Sequence, residues 1–184
     1  MWNLGLLGSL MGAAGAYDLL ETIDVTADST AFAFTGLDSL AADYQHLQIR
    51  MTAGLSEGLT TLVDVNLRFN NDAGTYANHV LSGNGSAVSS SAFTSDTEIR
   101  IRNVIGRDTA NGGYGAAVID ILDFASTTKN KTVRSLIGGY ETGEKNISLS
   151  SGFWDNTSAI TRIDQVLSVL DIGSRVSLYG LKGA

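Results

Sequence analysis

The stretch Val63-Asp64-Val65-Asn66-Leu67-Arg68-Phe69, followed by Asn70-Asn71-Asp72-Ala73-Gly74, decides the fold class. A period of two places Val63, Val65, Leu67 and Phe69 on one face of a strand and Asp64, Asn66 and Arg68 on the other. Such a strand belongs to a sheet with one buried and one wet face. The run of Asn, Asp and Gly that ends it favours a tight turn. Upstream the pattern recurs. Leu47, Ile49, Met51 and Ala53 alternate with Gln48, Arg50 and Thr52. Phe32 and Phe34 alternate with alanines, and Ile23, Val25 and Ala27 with Thr22, Asp24 and Thr26. Downstream, residues 98–104, 114–124, 132–140, 146–153, 160–170 and 174–181 read as further strands, separated by turn signals such as Asn111-Gly112-Gly113. Helical candidates are confined to a turn near residues 37–43 and to the N-terminal arm. About eight to ten short strands at this spacing predict an all-β chain, a β-sandwich of jelly-roll type.

Composition agrees. The 184 residues include 21 Gly, 19 Ser, 17 Thr and 11 Asn but no Pro, and only 17% are charged, against about 25% in average proteins. This length suits one domain, expected over residues 17–184, preceded by an arm over residues 1–16. Twelve Lys and Arg against 19 Asp and Glu give a net charge of −7, which disfavours electrostatic nucleic-acid binding. Six acids lie between Asp18 and Asp43, and no Lys or Arg precedes Arg50. With no cysteine there is neither a disulfide framework nor a thiolate metal site.

The arm, MWNLGLLGSLMGAAGA, is uncharged and rich in small residues. A secretory signal would need a positively charged start, which this stretch lacks. Sixteen residues also fall short of the roughly 20 needed to cross a bilayer, so no membrane span is expected. Trp2, Leu4, Leu6, Leu7, Leu10 and Met11 are too apolar to be left in water. They are expected to dock on a neighbouring chain.

Catalytic and metal motifs are weak. Gly54-Leu55-Ser56-Glu57-Gly58 matches the G-x-S-x-G nucleophile elbow, but that elbow needs a helix after the serine. Residues 59–69 read as a strand instead, so a hairpin loop is the simpler reading. His46 and His79 lack zinc-ligand spacing and read as ordinary residues. Asn70, Asn71 and Asp72 lack the alternating acids of an EF-hand loop and read as a turn. Asp120 and Asp123, at opposite parity on one expected strand, would face opposite sides and share no proton. Arg100 and Arg102 share a face opposite Ile99 and Ile101, and with Arg107 make the basic cluster. Given the surplus of acids, an ion-pair face is expected there. Asparagines 84, 130, 146 and 156 start N-x-S/T patterns, of the kind expected by chance in so Asn-, Ser- and Thr-rich a chain. No enzyme activity and no cofactor are expected.

Several segments in order carry a resemblance. They are Tyr17-Asp18-Leu19-Leu20-Glu21-Thr22, Tyr44-Gln45-His46-Leu47-Gln48-Ile49-Arg50, Leu67-Arg68-Phe69-Asn70 and Leu81-Ser82-Gly83-Asn84-Gly85-Ser86. Val118-Ile119-Asp120-Ile121, Lys129-Asn130-Lys131-Thr132, Ser151-Gly152-Phe153-Trp154 and Ser177-Leu178-Tyr179-Gly180-Leu181-Lys182 follow. Over residues 17–184 the chain resembles the small β-sandwich virion proteins of tailed bacteriophages. That resemblance implies a virion structural protein, first a capsid decoration (cement) protein assembled in the host cytoplasm and bound to the outer surface of the head. Its implied partners are the major capsid protein or other virion proteins and two further copies of itself in a homotrimer. A tail or fibre component is the alternative placement. A carbohydrate-binding sandwich is a further alternative; it would need an exposed aromatic platform, for which Trp154 is the first candidate, although Phe153 and Ile160 beside it favour packing.

Overall fold

The computed structural model describes residues 16–27, 31–54, 64–102, 114–141, 144–166 and 170–183. These residues form two antiparallel sheets packed face to face, a β-sandwich. The strands are β1 (Tyr17–Asp24), β2 (Ala33–Thr35), β3 (His46–Ala53), β4 (Asn66–Phe69), β5 (Tyr76–Gly83) and β6 (Val88–Asp96). They continue with β7 (Gly115–Leu122), β8 (Lys131–Glu141), β9 (Glu144–Trp154), β10 (Arg162–Val166) and β11 (Arg175–Leu181). The large sheet runs β1-β11-β3-β7-β8-β9-β5-β6 and the small one β2-β10-β4. A short 3-10 helix, Leu37–Leu40, occupies the expected turn after β2.

The period-two pattern explains the core. Leu47, Ile49 and Met51 of β3, Ala117, Ile119 and Ile121 of β7, and Val176 and Leu178 of β11 all point inward. Opposite them stand Phe32, Phe34, Leu67, Phe69 and Ile163 from the region of the small sheet. At one end Trp154 stacks on Tyr76 at 6.1 Å and meets Phe69 edge-on at 5.6 Å. Offset and edge-to-face ring pairs of this kind add about 0.5–1.5 kcal/mol beyond simple burial.

Four features depart from the sequence reading, the first being that β4 spans only Asn66–Phe69 and buries Asn66, which the period of two places on the wet face. Strands β5 and β6 carry too few large apolar residues to register as apolar alternation. β1 starts at Tyr17, upstream of the expected Thr22. Residues 98–102 form no regular strand: Ile99 makes one bridge to Leu67, and both Ile99 and Ile101 are buried as their parity requires. The physical reason is Asn78. Its side-chain Oδ1 accepts the Arg100 N–H at 3.0 Å, and its Nδ2 donates to the Glu98 carbonyl, so a side chain replaces ladder partners.

The crossing from β9 in the large sheet to β10 in the small one is pinned by side chains. Asn70 Oδ1 accepts the backbone N–H groups of Thr161 and Arg162, and its Nδ2 donates to Ala159 O. Lys131 is fully buried, and its ammonium donates to the carbonyls of Ser126, Lys129 and Thr157. A buried charge needs such partners.

Candidate interaction face

The inner and outer faces of the large sheet follow from strand register, and the outer one is unusual. In β9, Ser148, Ser150 and Gly152 face the core while Ile147, Leu149 and Phe153 face outward, at 58%, 46% and 38% exposure. Over residues 147–150 the ordinary arrangement is inverted, small and polar within and large and apolar without, before Ser151 outward and Trp154 in the core restore it. Gly152 has a steric reason, because a Cβ there would lie 2.7 Å from Ile99. Ser135 and Ser150 face each other across β8 and β9, both buried, with neither hydroxyl hydrogen-bonded. Small residues under this part of the sheet are therefore kept at some energetic cost.

Register then assembles the outer residues into a row. Val118 pairs with Leu136, Leu136 with Leu149, and Leu149 with Leu81. Four neighbouring strands, about 4.8 Å apart, thus present one unbroken line of apolar side chains, each 39–52% exposed. Ile147 and Val88 extend the patch one row further, through Gly83. Between β9, β5 and β6 the face is concave, a groove of about 400 Å³ lined by Leu81, Leu149, Ser90, Ala92, His79 and Ser151. Monomers seldom expose contiguous apolar patches beyond about 300–600 Å², and those that do mostly use them for binding.

A polar row borders the patch. Arg50 donates to Gln48, Gln48 to Asp120, and Arg134 to Asp120 at 2.7 Å. Arg50 also lies over the rings of Tyr17 and Tyr179, at 5.0 and 4.7 Å. An apolar centre with a rim of hydrogen-bonded charge is the anatomy of a protein interface.

The residues singled out from the sequence fall elsewhere or serve the fold. Asp120 lies on β7, but Asp123 does not share that strand: it follows Leu122 in a turn, with φ of 49°, where Lys129 and Gln45 bind it and hold its pKa below the ordinary aspartate value. The two carboxylates share no proton, for this reason rather than through strand parity. His46 Nδ1 accepts the Asp123 N–H at 2.9 Å, and His79 is exposed on β5. The Asn70 and Asn71 backbones are left-handed. Asp72 receives Trp154 Nε1, Asn156 Nδ2 and the Gly74 N–H. Burial works to raise the Asp72 pKa, and these hydrogen bonds outweigh it and hold it low. The side-chain oxygens of Asn70 and Asp72 are therefore taken up by protein donors.

Arg100 and Arg102 face out as expected and join acids: Arg100 grips Asp96 at 2.7 Å and Arg102 meets Asp64 at 3.3 Å. Arg107, Ser56 and the arm residues Trp2, Leu4, Leu6, Leu7, Leu10 and Met11 lie outside the described residues. Among the described residues no group of three His, Asp or Glu is placed to hold a metal, and no helix is long and apolar enough to cross a membrane. Comparison with protein-family models, with curated proteins and with solved structures returns no match for this chain.

Proposed function

We propose that this chain is a non-enzymatic structural protein whose outer sheet face is a contact surface, and that it serves as a decoration protein on the head of a tailed-phage virion, bound there as a homotrimer. The observation that carries the contact surface is the inverted amphipathy of β9 over residues 147–150, with Ile147 and Leu149 outward and serines inward. A sheet face left in water would gain nothing from such a choice, whereas one covered by another chain gains about 25 cal/mol per Å² of apolar area removed from water. The placement on a virion rests on the sequence resemblance. The carbohydrate-binding alternative loses its first candidate platform, because Trp154 is buried at 1% exposure and spends its N–H on Asp72.

The test is the number of copies on purified virions, measured by quantitative mass spectrometry against the major shell subunit. A decoration protein is expected in fixed proportion to the shell. A few copies per particle would move the chain to the tail, and none would sink the virion reading.

A further inference from the structure

The two edges of the large sheet are built differently. An unpaired edge strand invites another strand, and proteins blunt it with charge, bulges or proline. At one edge β1 carries Asp18, Glu21 and Asp24, and its pairing is interrupted between Leu19 and Glu21. At the other edge β6, Val-Ser-Ser-Ser-Ala-Phe-Thr-Ser-Asp, has no charge before Asp96 and no proline. It pairs regularly with β5 from Val88 to Phe93 and shifts register only between Phe93 and Asp96. Its outward side chains beside the groove, Ser90 and Ala92, are small, so large side chains on an added strand could lean across them toward Leu81. An occupant that fits has an extended backbone, no charge, and large apolar residues at alternate positions. Trp2-Asn3-Leu4-Gly5-Leu6 has that pattern.

Which copy supplies it follows from distance. β1 and β6 lie seven strand steps apart, about 34 Å across the sheet at roughly 4.8 Å per step. The ten residues from Leu6 to Ala16 reach at most about 33–36 Å when fully extended. A chain's own arm would have to stretch taut over the whole face before its first paired residue. A neighbouring copy imposes no such strain.

We propose that residues 2–6 of one copy add as a strand to the edge of β6 that no described strand pairs, in a neighbouring copy, placing Trp2, Leu4 and Leu6 beside Ser90 and Ala92 at the Leu81 end of the groove. This rests on the reading of the outer face as a contact surface and names what covers one end of it. Passing an arm from each copy to the next is a head-to-tail contact, which closes into rings such as a trimer.

The absence of cysteine makes the test direct. Full-length chains bearing Gly5→Cys and Ser91→Cys, each checked for native melting, are mixed and treated with a short thiol-reactive cross-linker. The expected result is a covalent dimer of one Gly5→Cys chain with one Ser91→Cys chain, and none when Glu21→Cys on β1 replaces Ser91→Cys. No mixed dimer, or as much with Glu21→Cys, would overturn the proposal. So would Ser91→Cys chains linking to each other, which would mean that β6 pairs with β6. Efficient linkage within one doubly substituted chain, with no product between chains, would also overturn it. If the chain still self-associates and Leu136→Asp disrupts that association, a failed cross-link removes the arm proposal alone and leaves the contact face standing.

Discussion

Asn70→Ala is the substitution whose cost the structure specifies most closely. Asn70 sits where β4 ends, and its side chain holds the segment that carries the chain from one sheet to the other. Three backbone groups depend on it: the N–H groups of Thr161 and Arg162 and the carbonyl of Ala159, at 2.8, 3.1 and 2.8 Å. At about 1 kcal/mol each, their loss costs about 3 kcal/mol. Asn70 also has φ of 53°, a conformation that costs an ordinary L-residue about 1–2 kcal/mol and that Asn tolerates. Alanine should therefore lower stability by about 4 kcal/mol. Asn70→Gly loses the same hydrogen bonds but escapes the backbone cost, and should recover about 1 kcal/mol after its greater unfolded-state entropy is counted. Urea denaturation followed by circular dichroism, with unchanged slope, measures both. A cost below about 1 kcal/mol for alanine, or glycine less stable than alanine, would refute the account of the turn.

Other expectations are more local. The Arg100 guanidinium holds Asp96 below the ordinary aspartate value, against burial. A lowered folded-state pKa contributes stability that is complete above the ordinary value and is lost as pH falls through the lowered one. Asp96→Asn should thus flatten the acid limb of a melting-temperature profile, and an unaltered limb would contradict the assignment. Lys131→Met leaves three carbonyls without their donor and should cost about 2 kcal/mol or more; a variant as stable as the native chain would show that the ammonium only offsets its own desolvation. A serine-directed fluorophosphonate should leave Ser56 unmodified, and Ser56→Ala should melt with the native chain. Covalent labelling at Ser56 would overturn the non-enzymatic reading.

The sandwich was legible because β3, β7 and β11 place Leu, Ile and Val at alternate positions, and hydropathy alone reveals that period. β5 and β6 were not legible, for a physical reason. Their alternation is one of size and hydrogen bonding, as in Asn78, His79 and Ser82 or the serines 89–91, and turn-forming residues of this kind read as loop. The interaction face was hidden for another reason. Residues 81, 118, 136 and 149 meet only through strand register, which depends on turns and partners far apart in the chain. In β9 the alternation of Ile147 and Leu149 with Ser148 and Ser150 was visible, but a strand's period does not say which of its faces is buried. Asn78 illustrates the same limit, since only the fold shows its amide standing in for ladder hydrogen bonds.

Sedimentation velocity of the full chain at micromolar concentration, native and carrying Leu136→Asp, tests the contact face most directly. Val118, Leu136, Leu149 and Leu81 are 39–52% exposed, so about half of each side chain remains to be covered. At about 1 kcal/mol apiece, the row contributes about 4 kcal/mol, roughly a thousandfold in Kd. An aspartate at its centre removes one share and adds a carboxylate that must lose its water. The native chain should sediment as an oligomer, and Leu136→Asp should weaken association at least about tenfold while keeping the native circular dichroism spectrum, because position 136 lies outside the core. A native chain that stays monomeric, or a Leu136→Asp chain that associates as well as the native one, would contradict the assignment of this face.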